Sequence, residues 1–528
     1  MKILVVERLA AEGLEILRRH HEVDERLGLQ RDEVIALIPD YDALVVRSQV
    51  KVDAGMIAAG TRLVVVGRAG VGVDNVDLEA ATRAGVTVVN APTGNTIAAA
   101  ELTIAMLLGL ARRTAAADAS MRRGEWKRSQ FTGIEVRGKT LGIVGLGKIG
   151  QAVAARARAL QMTVIASDPF VTHEQAATLG VELVAFDDVV ARSDAITVHV
   201  PKTKATAGLI NAAAIERMKP NVLLLNVARG GVIDEADLAS ALHSGRVAGA
   251  GIDVYTAEPP TGNPLLEAPN TLLTPHLGAS TEEAQVAVAE EVAEQILDIL
   301  DGRPARYAVN APLLTAETAQ AIAPYLPLAT MLGQFAAQMV RSAPRTLTVE
   351  IAGDPAAHDA SSLVAAVLRG LLEATTEERV NLVNAAAIAR ARGITVVERK
   401  TTDAGSSSSS PLTVTVEAED GSITVGGTVT GGEPRLLRLG AHAMDLAPAD
   451  HMLITNHRDR PGTVGRVGVM LGQADVNIRS MTLARSAPRA DAFMVLALDD
   501  APPASVIEAL TADDAIIDVW SVTLDVGR

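Results

Sequence analysis

There is no cysteine among the 528 residues. Disulfides, thiol nucleophiles and cysteine-ligated metal are thereby excluded, no metal site is expected, and a cytoplasmic location is. Aromatic residues make up only 2% of a chain that is 48% hydrophobic, so its cores must be built from Ala, Val, Leu and Ile. No apolar run reaches the roughly 18 uncharged residues of a membrane span. The richest, Leu102 to Ala111, is fenced by Glu101 and Arg112. The amino terminus, MKILVVE, becomes a strand at once and lacks the basic head, apolar core and cleavage site of a signal peptide. Positive charge is also in deficit. A formal net charge of -15 argues against a general nucleic-acid surface and leaves any anionic ligand to local Arg and Lys clusters.

The most informative stretch runs from Gly138 to Asp168. An apolar strand, Thr140 to Val144, leads into Gly145, Gly147 and Gly150, spaced G-x-G-x-x-G at the start of an Ala-rich helix over Ile149 to Leu160. A second strand, Thr163 to Ser167, ends at Asp168. This is the order a dinucleotide site requires. Gly145 allows the tight turn, Gly147 lets the backbone approach a pyrophosphate at the positive helix end, and Gly150 lets helix and strand pack closely. A carboxylate at Asp168 accepts ribose hydroxyls and repels a 2'-phosphate, so the expected cofactor is NAD and not NADP.

At this length the chain needs several domains. Residues 1 to about 95 alternate strand and helix, with strands at Ile3–Val6, Ala43–Val46, Leu63–Gly67 and Val86–Val89. A single long helix is expected over Thr96–Arg123, its apolar face made by Ile97, Leu102, Ile104, Leu107 and Leu108. The nucleotide unit continues through strands at 195–200, 221–227, 249–254 and 271–274, a parallel sheet of about six. A helix over Glu282–Leu300 returns to the first domain. The expected organisation is a flavodoxin-like substrate domain (1–95 and 282–308), a Rossmann-type doubly wound nucleotide domain (96–281), an α+β intervening domain (309–448) and a ferredoxin-like domain (452–528) reading β-α-β-β-α-β. Within the third, one helix is expected over Ala316–Val340, and Ser406–Ser410 reads as a flexible loop.

Three polar residues fall where strands of the nucleotide sheet meet loops: Arg229 in NVARGG, Glu258 beyond GIDVYTAEP and His276 in LLTPHLGAS. Removing hydride from a hydroxyl-bearing carbon requires a base for the hydroxyl proton, which suits His; a carboxylate beside it fixes the tautomer, and a guanidinium forks onto a substrate carboxylate. Each alone would ordinarily be a surface residue. Arg47 and Arg68, near strand ends of the first domain, are candidates for clamping an anion.

NVARGGVIDE, IDVYTAEPP and LTPHLGAST, downstream of LGIVGLGKIG, resemble the NAD-dependent D-2-hydroxyacid dehydrogenase family over residues 1 to about 308. GRAGVGVDNVD and the carboxyl-terminal extension resemble its long branch, which acts on 3-phosphoglycerate and carries an intervening domain and an ACT domain. The resemblance implies oxidation of 3-phosphoglycerate to 3-phosphohydroxypyruvate, the first step of phosphorylated L-serine biosynthesis, by a homo-oligomer such as a tetramer. It places catalysis on Arg229, Glu258 and His276. Cofactor contacts are implied at Gly145, Gly147, Lys148, Ile149, Gly150, Asp168, Val227, Ala228, Arg229, Asp253, His276, Leu277, Gly278 and Ala279. Phosphate binding is implied at Arg47 and Arg68, with Arg128 reaching in from a neighbouring subunit. Gln49 stands where some relatives have a further arginine.

The tail, with HRDRPG at 457–462 and DVNI around Asn477, resembles an ACT domain, a module that binds amino acids between paired copies. That implies Asp459 for an effector's ammonium, Asn477 for its carboxylate and His457 beside them, with L-serine, the pathway's end product, as effector. Two other readings stand beside this one: a dehydrogenase of another D-2-hydroxy acid, and a non-catalytic dinucleotide-sensing co-regulator.

Overall fold

The computed structural model describes residues 1–303, 305–311, 316–373, 375–376, 379–401, 411–419, 421–485, 487 and 489–524. The Ser406–Ser410 run lies outside the described residues.

The described residues form four sheets. The first has five parallel strands, Lys2–Val5, Glu22–Glu25, Ala43–Val46, Val65–Arg68 and Thr87–Asn90, in spatial order 2-1-3-4-5, the flavodoxin order. Its central strands are buried on both faces, as the near-continuous apolar run Ala43–Val46 requires. Glu22–Glu25 went unforeseen because EVDE is polar; it survives as an edge strand, where one side faces water. The helix Glu282–Leu300 lies on this sheet, with Val292 and Ile296 fully buried against it.

The second sheet has seven parallel strands: Thr140–Val144, Thr163–Ser167, Glu182–Leu183, Ala195–Val198, Val222–Asn226, Val247–Ile252 and Thr271–Leu273. Counted within the domain, their order is 7-6-5-4-1-2-3, a Rossmann sheet. The strand beyond the expected six, Glu182–Leu183, has two residues, too few to give a pattern. The first and fourth strands are neighbours, and the connections leaving them diverge to opposite halves of the sheet. This opens a crevice at their carboxyl ends.

Two long helices differ from expectation. The chain over 96–123 is two helices, Thr96–Arg112 and Thr114–Arg122, broken at Arg113, whose φ of 55° caps the first. The Arg113 guanidinium holds the break by donating to the Gln130 carbonyl and Asn270 Oδ1. The buried face of the first helix is also made of smaller residues than expected: Ala98, Ala99, Ala100, Thr103, Met106, Leu107 and Ala111 lie inside, while Ile97 is 55% exposed. Close packing against a helix and a sheet favours alanine over the larger side chains that periodicity selects. The second case, 316–340, resolves into Ala316–Ile322, a 3-10 turn at Ala323–Tyr325 and Leu326–Met339. Pro324 and Pro327 each lack the N–H that a continuous helix would need.

The third sheet has six strands between Pro344 and Leu446, the first two parallel and the rest antiparallel. The fourth, His451–Arg458, Ile478–Arg485, Asp491–Leu498 and Ile516–Thr523, is antiparallel in order 2-3-1-4 with helices Thr463–Gln473 and Ala504–Thr511, a ferredoxin-like fold. The third and fourth sheets share one core. At their seam the Trp520 indole N–H donates to the Met339 carbonyl at 3.1 Å, and the Arg341 guanidinium sits over the Trp520 ring. Among the described residues no helix is long and apolar enough to cross a membrane.

Candidate active site

Arg229, Glu258 and His276 follow the fifth, sixth and seventh strands of the second sheet, which are successive neighbours, so their loops emerge side by side. All three line a cleft of about 780 Å³ between the first and second sheets. His276 Nδ1 lies 2.8 Å from Glu258 Oε2, and Glu258 is itself held by the Tyr255 backbone N–H, 3.1 Å from Oε1. With Nδ1 donating to the carboxylate, Nε2 is left as the ring's acceptor. Arg229 ion-pairs with Asp74 at 3.5 Å across the cleft, and its backbone is fixed by Asn226, which bonds both Arg229 O and Ala228 N.

The first domain contributes Arg47 and Arg68 to the same cleft. Glu7, itself buried, accepts N–H bonds from Arg47, Gln49 and Val50, and Asn75 Nδ2 donates to the carbonyls of Arg47 and Val50. The loop that presents Arg47 is therefore rigid. Burial, then the nearby Arg229 charge, hold the pKa of the Arg68 guanidinium down to about 10, and its buried Nε has no hydrogen-bond partner among the described residues. A buried arginine beside two others is costly unless an anion neutralises the group. Arg128 does not reach this cleft; it stands on the exposed 3-10 turn Arg128–Phe131.

The crevice of the second sheet fits a dinucleotide. Gly145 has φ +95°, and a Cβ there would lie 2.5 Å from the His199 carbonyl oxygen. A Cβ on Gly150 would lie 2.2 Å from the Gly145 oxygen, whereas one on Gly147 would meet nothing within 4 Å, leaving its backbone open to a ligand at the start of helix Lys148–Ala159. Asp168 accepts from Leu146 N and Phe170 N, one bond to each carboxylate oxygen, and each retains a lone pair for a ribose hydroxyl. Ile149, Val227, Ala228, Gly278 and Ala279 line the cleft beyond this turn; Leu277 adjoins it, 39% exposed.

Asp253 is fully buried, and it accepts from Thr274 Oγ1, Leu277 N and Gly278 N at 2.6, 2.7 and 2.9 Å. Its carboxylate thus holds the loop that presents His276. Sequence reasoning missed His199, which also lines the cleft. Its Nε2 is 3.0 Å from Thr197 Oγ1, its buried Nδ1 has no hydrogen-bond partner among the described residues, and burial pushes its pKa down to about 4. The only prior signal was a polar residue ending the apolar strand Ala195–Val198.

In the fourth domain the three effector candidates do not converge. Asp459 pairs with Arg485 at 2.6 Å and accepts from Arg489 N, which with Arg485 holds its carboxyl below the usual range. Asn477 donates to Asp499, at the opposite end of the sheet, because antiparallel pairing sets Leu498 against His451 and Asp491 against Arg458. Asp459 lies opposite Ala490 and Asn477 opposite Asp499, nine residues along the same strand, so a strand rise of about 3.4 Å per residue puts them about 30 Å apart. His457 does not stand beside Asp459 in solvent: it is 1% exposed, because strand alternation turns Leu453, Thr455 and His457 alike into the core. Burial also lowers its pKa.

Three family profiles match in sequence: D-isomer specific 2-hydroxyacid dehydrogenase, NAD binding domain, over residues 104–278; D-3-phosphoglycerate dehydrogenase intervening domain over 321–440; and ACT domain over 451–514. Among curated proteins the chain is 44% identical to D-3-phosphoglycerate dehydrogenase of Archaeoglobus fulgidus, covering 99% of this chain and 100% of that one. It is 45% identical to the protein of that name from Synechocystis, covering 99% and 95%. Among solved structures it is similar to the TT0316 protein of Thermus thermophilus (35% identity, TM-score 0.55, 58% of this chain and 100% of that one). It is also similar to an NAD-dependent formate dehydrogenase of Staphylococcus aureus in complex with NAD (30% identity, TM-score 0.52, 58% and 97%).

Proposed function

Because the chain belongs to the D-3-phosphoglycerate dehydrogenase family and is an NAD-dependent dehydrogenase, we infer that it oxidises D-3-phosphoglycerate to 3-phosphohydroxypyruvate in the cytoplasm, the first step toward L-serine. The observation that carries this is the meeting of two sets of groups in one cleft: the His276–Glu258 pair, suited to alcohol oxidation, and the Arg47, Arg68 and Arg229 cluster, suited to a doubly anionic substrate.

His276 Nε2 takes the proton of the C2 hydroxyl, and Glu258 holds the ring in the tautomer that makes this possible. Arg229 forks onto the substrate carboxylate and polarises the developing carbonyl. Arg68 and Arg47 take the phosphate, neutralising a cluster otherwise strained by like charge. The helix start at Lys148, the open Gly147, the Asp168 carboxylate and the Val227–Arg229 and His276–Ala279 loops would hold NAD, which would supply the hydride acceptor for C2.

The ACT domain takes an amino-acid effector, here L-serine. The separation of Asp459 and Asn477 supports a site made by two chains, Asp459 of one with Asn477 of another, so the working form is a homo-oligomer. The deciding measurement is NADH oxidation with 3-phosphohydroxypyruvate beside unphosphorylated hydroxypyruvate, each with and without serine. Preference for the phosphorylated compound, suppressed by serine, is expected. Activity on both alike would leave a broader D-2-hydroxyacid dehydrogenase, and none on either would leave a dinucleotide-binding protein.

A further inference from the structure

Lys148 is the first residue of the helix Lys148–Ala159 and lies beside the open Gly147 of the glycine-rich turn. An ammonium there faces the positive end of the helix, an unfavourable position unless an anion is to be held. It forms no ion pair among the described residues; what it meets is the face of Tyr307, with Nζ 5.4 Å from the ring centroid. A cation over an aromatic face is attracted by the ring quadrupole and keeps its outer side free for another partner.

Tyr307 comes from the first domain. It follows the helix Glu282–Leu300, which packs on the first sheet, and the backbone around it is fixed. The Tyr307 N–H donates to Gln295 Oε1 at 2.8 Å, and Gln295, 3% exposed, uses its Nε2 on the carbonyls of Asn90 and Glu291. Ala308 bridges to Val89, Val309 N donates to Val88 O, and Asn310 bonds both Val88 N and Val86 O. The ring is therefore carried on backbone fixed to the last strand of the substrate domain, while the lysine it holds belongs to the nucleotide domain.

We propose that Tyr307 is a positioning residue for the dinucleotide: its ring holds the Lys148 ammonium at the glycine-rich turn, aimed at the pyrophosphate and tied to the substrate domain. This rests on the cofactor reading above. A cation ordered before the ligand arrives spares the rotamer entropy of a free lysine and offsets the repulsion from the helix end.

The test is NADH affinity of the full chain, followed by cofactor fluorescence, in a double-mutant cycle of Tyr307→Leu and Lys148→Met with Tyr307→Phe as the conservative variant. Tyr307→Phe keeps the ring and is expected to bind as the unaltered protein does. Tyr307→Leu is expected to bind about three-fold more weakly, and to make no further difference once Lys148 is Met. Equal loss with Phe and Leu, or the same loss from Tyr307→Leu in the Lys148→Met background, would overturn the proposal by making Tyr307 a packing residue only. Failure of the unaltered protein to bind NADH would overturn the cofactor reading and this one with it, whereas normal binding without coupling would overturn this one alone.

Discussion

His276 Nδ1 and Glu258 Oε2 are joined by one hydrogen bond of 2.8 Å, and the Tyr255 N–H keeps the carboxylate in place from the other side. In the proposed mechanism the pair acts as a unit, with Glu258 holding the ring and His276 Nε2 taking the hydroxyl proton. His276→Ala is expected to lower kcat by about 100- to 10,000-fold, the range of a lost general base, while NADH still binds. Glu258→Gln should keep only part of the rate while NADH still binds, because an amide can present its N–H₂ in place of the carboxylate oxygen that accepts from His276 Nδ1. Steady-state rates and NADH titration decide it, and a rate unchanged by Glu258→Gln would remove Glu258 from the proton path.

Arg68 carries a charge in a place that suits binding better than folding. Its depressed pKa, about 10, records burial and the like charge of Arg229. Arg68→Met is therefore expected to raise the melting midpoint of the ligand-free protein by roughly 2–4 °C, while raising KM for the phosphorylated substrate about 10- to 100-fold through loss of a charge-assisted bond. Calorimetry and initial rates measure the two effects. A lower midpoint would show that the guanidinium supports the fold.

His199 makes stability depend on acid. Its folded pKa, about 4, lies below the ordinary 6.5, so between these values the unfolded chain binds the proton that the folded chain refuses. The stabilisation is whole above pH 6.5 and is lost as pH falls toward 4, by up to about 3 kcal/mol. His199→Gln should remove that part of the slope, read as the difference between the two proteins in urea titrations at stepped pH. Parallel slopes would refute it.

The distance between Asp459 and Asn477 predicts cross-complementation. Asp459→Ala and Asn477→Ala should each abolish serine inhibition when present in every chain. In hybrids of the two variants, one site of each facing pair combines an intact Asp459 with an intact Asn477, and partial inhibition should return. Hybrids as insensitive as the parents would place the effector elsewhere.

The catalytic and nucleotide parts of the fold were legible because short apolar strands there are bounded by glycine or a polar residue. Thr140–Val144 and Thr163–Ser167 needed no adjustment. The proximity of Arg229, Glu258 and His276 followed from strand-by-strand order in a parallel sheet, where each successive loop opens at the same edge. What was hidden depends on pairing and packing that no local pattern carries. Arg113 breaks a helix through contacts with Gln130 and Asn270, distant in sequence. Glu7 orders the Arg47 loop from 40 residues away. The register of the last sheet, not its composition, separates Asn477 from Asp459.

The chain has two tryptophans: Trp126, 74% exposed, and Trp520, bonded to Met339 where the last two domains share a core. Its intrinsic emission is thus the sum of a solvent-exposed emitter and one at an interdomain joint. Trp126→Phe would leave a single native lamp on that joint, so a shift of the last domain against the intervening helix becomes readable as a change of colour or intensity with no label attached. The lack of cysteine adds a second channel, since one introduced thiol would be the only site a thiol-reactive dye could take.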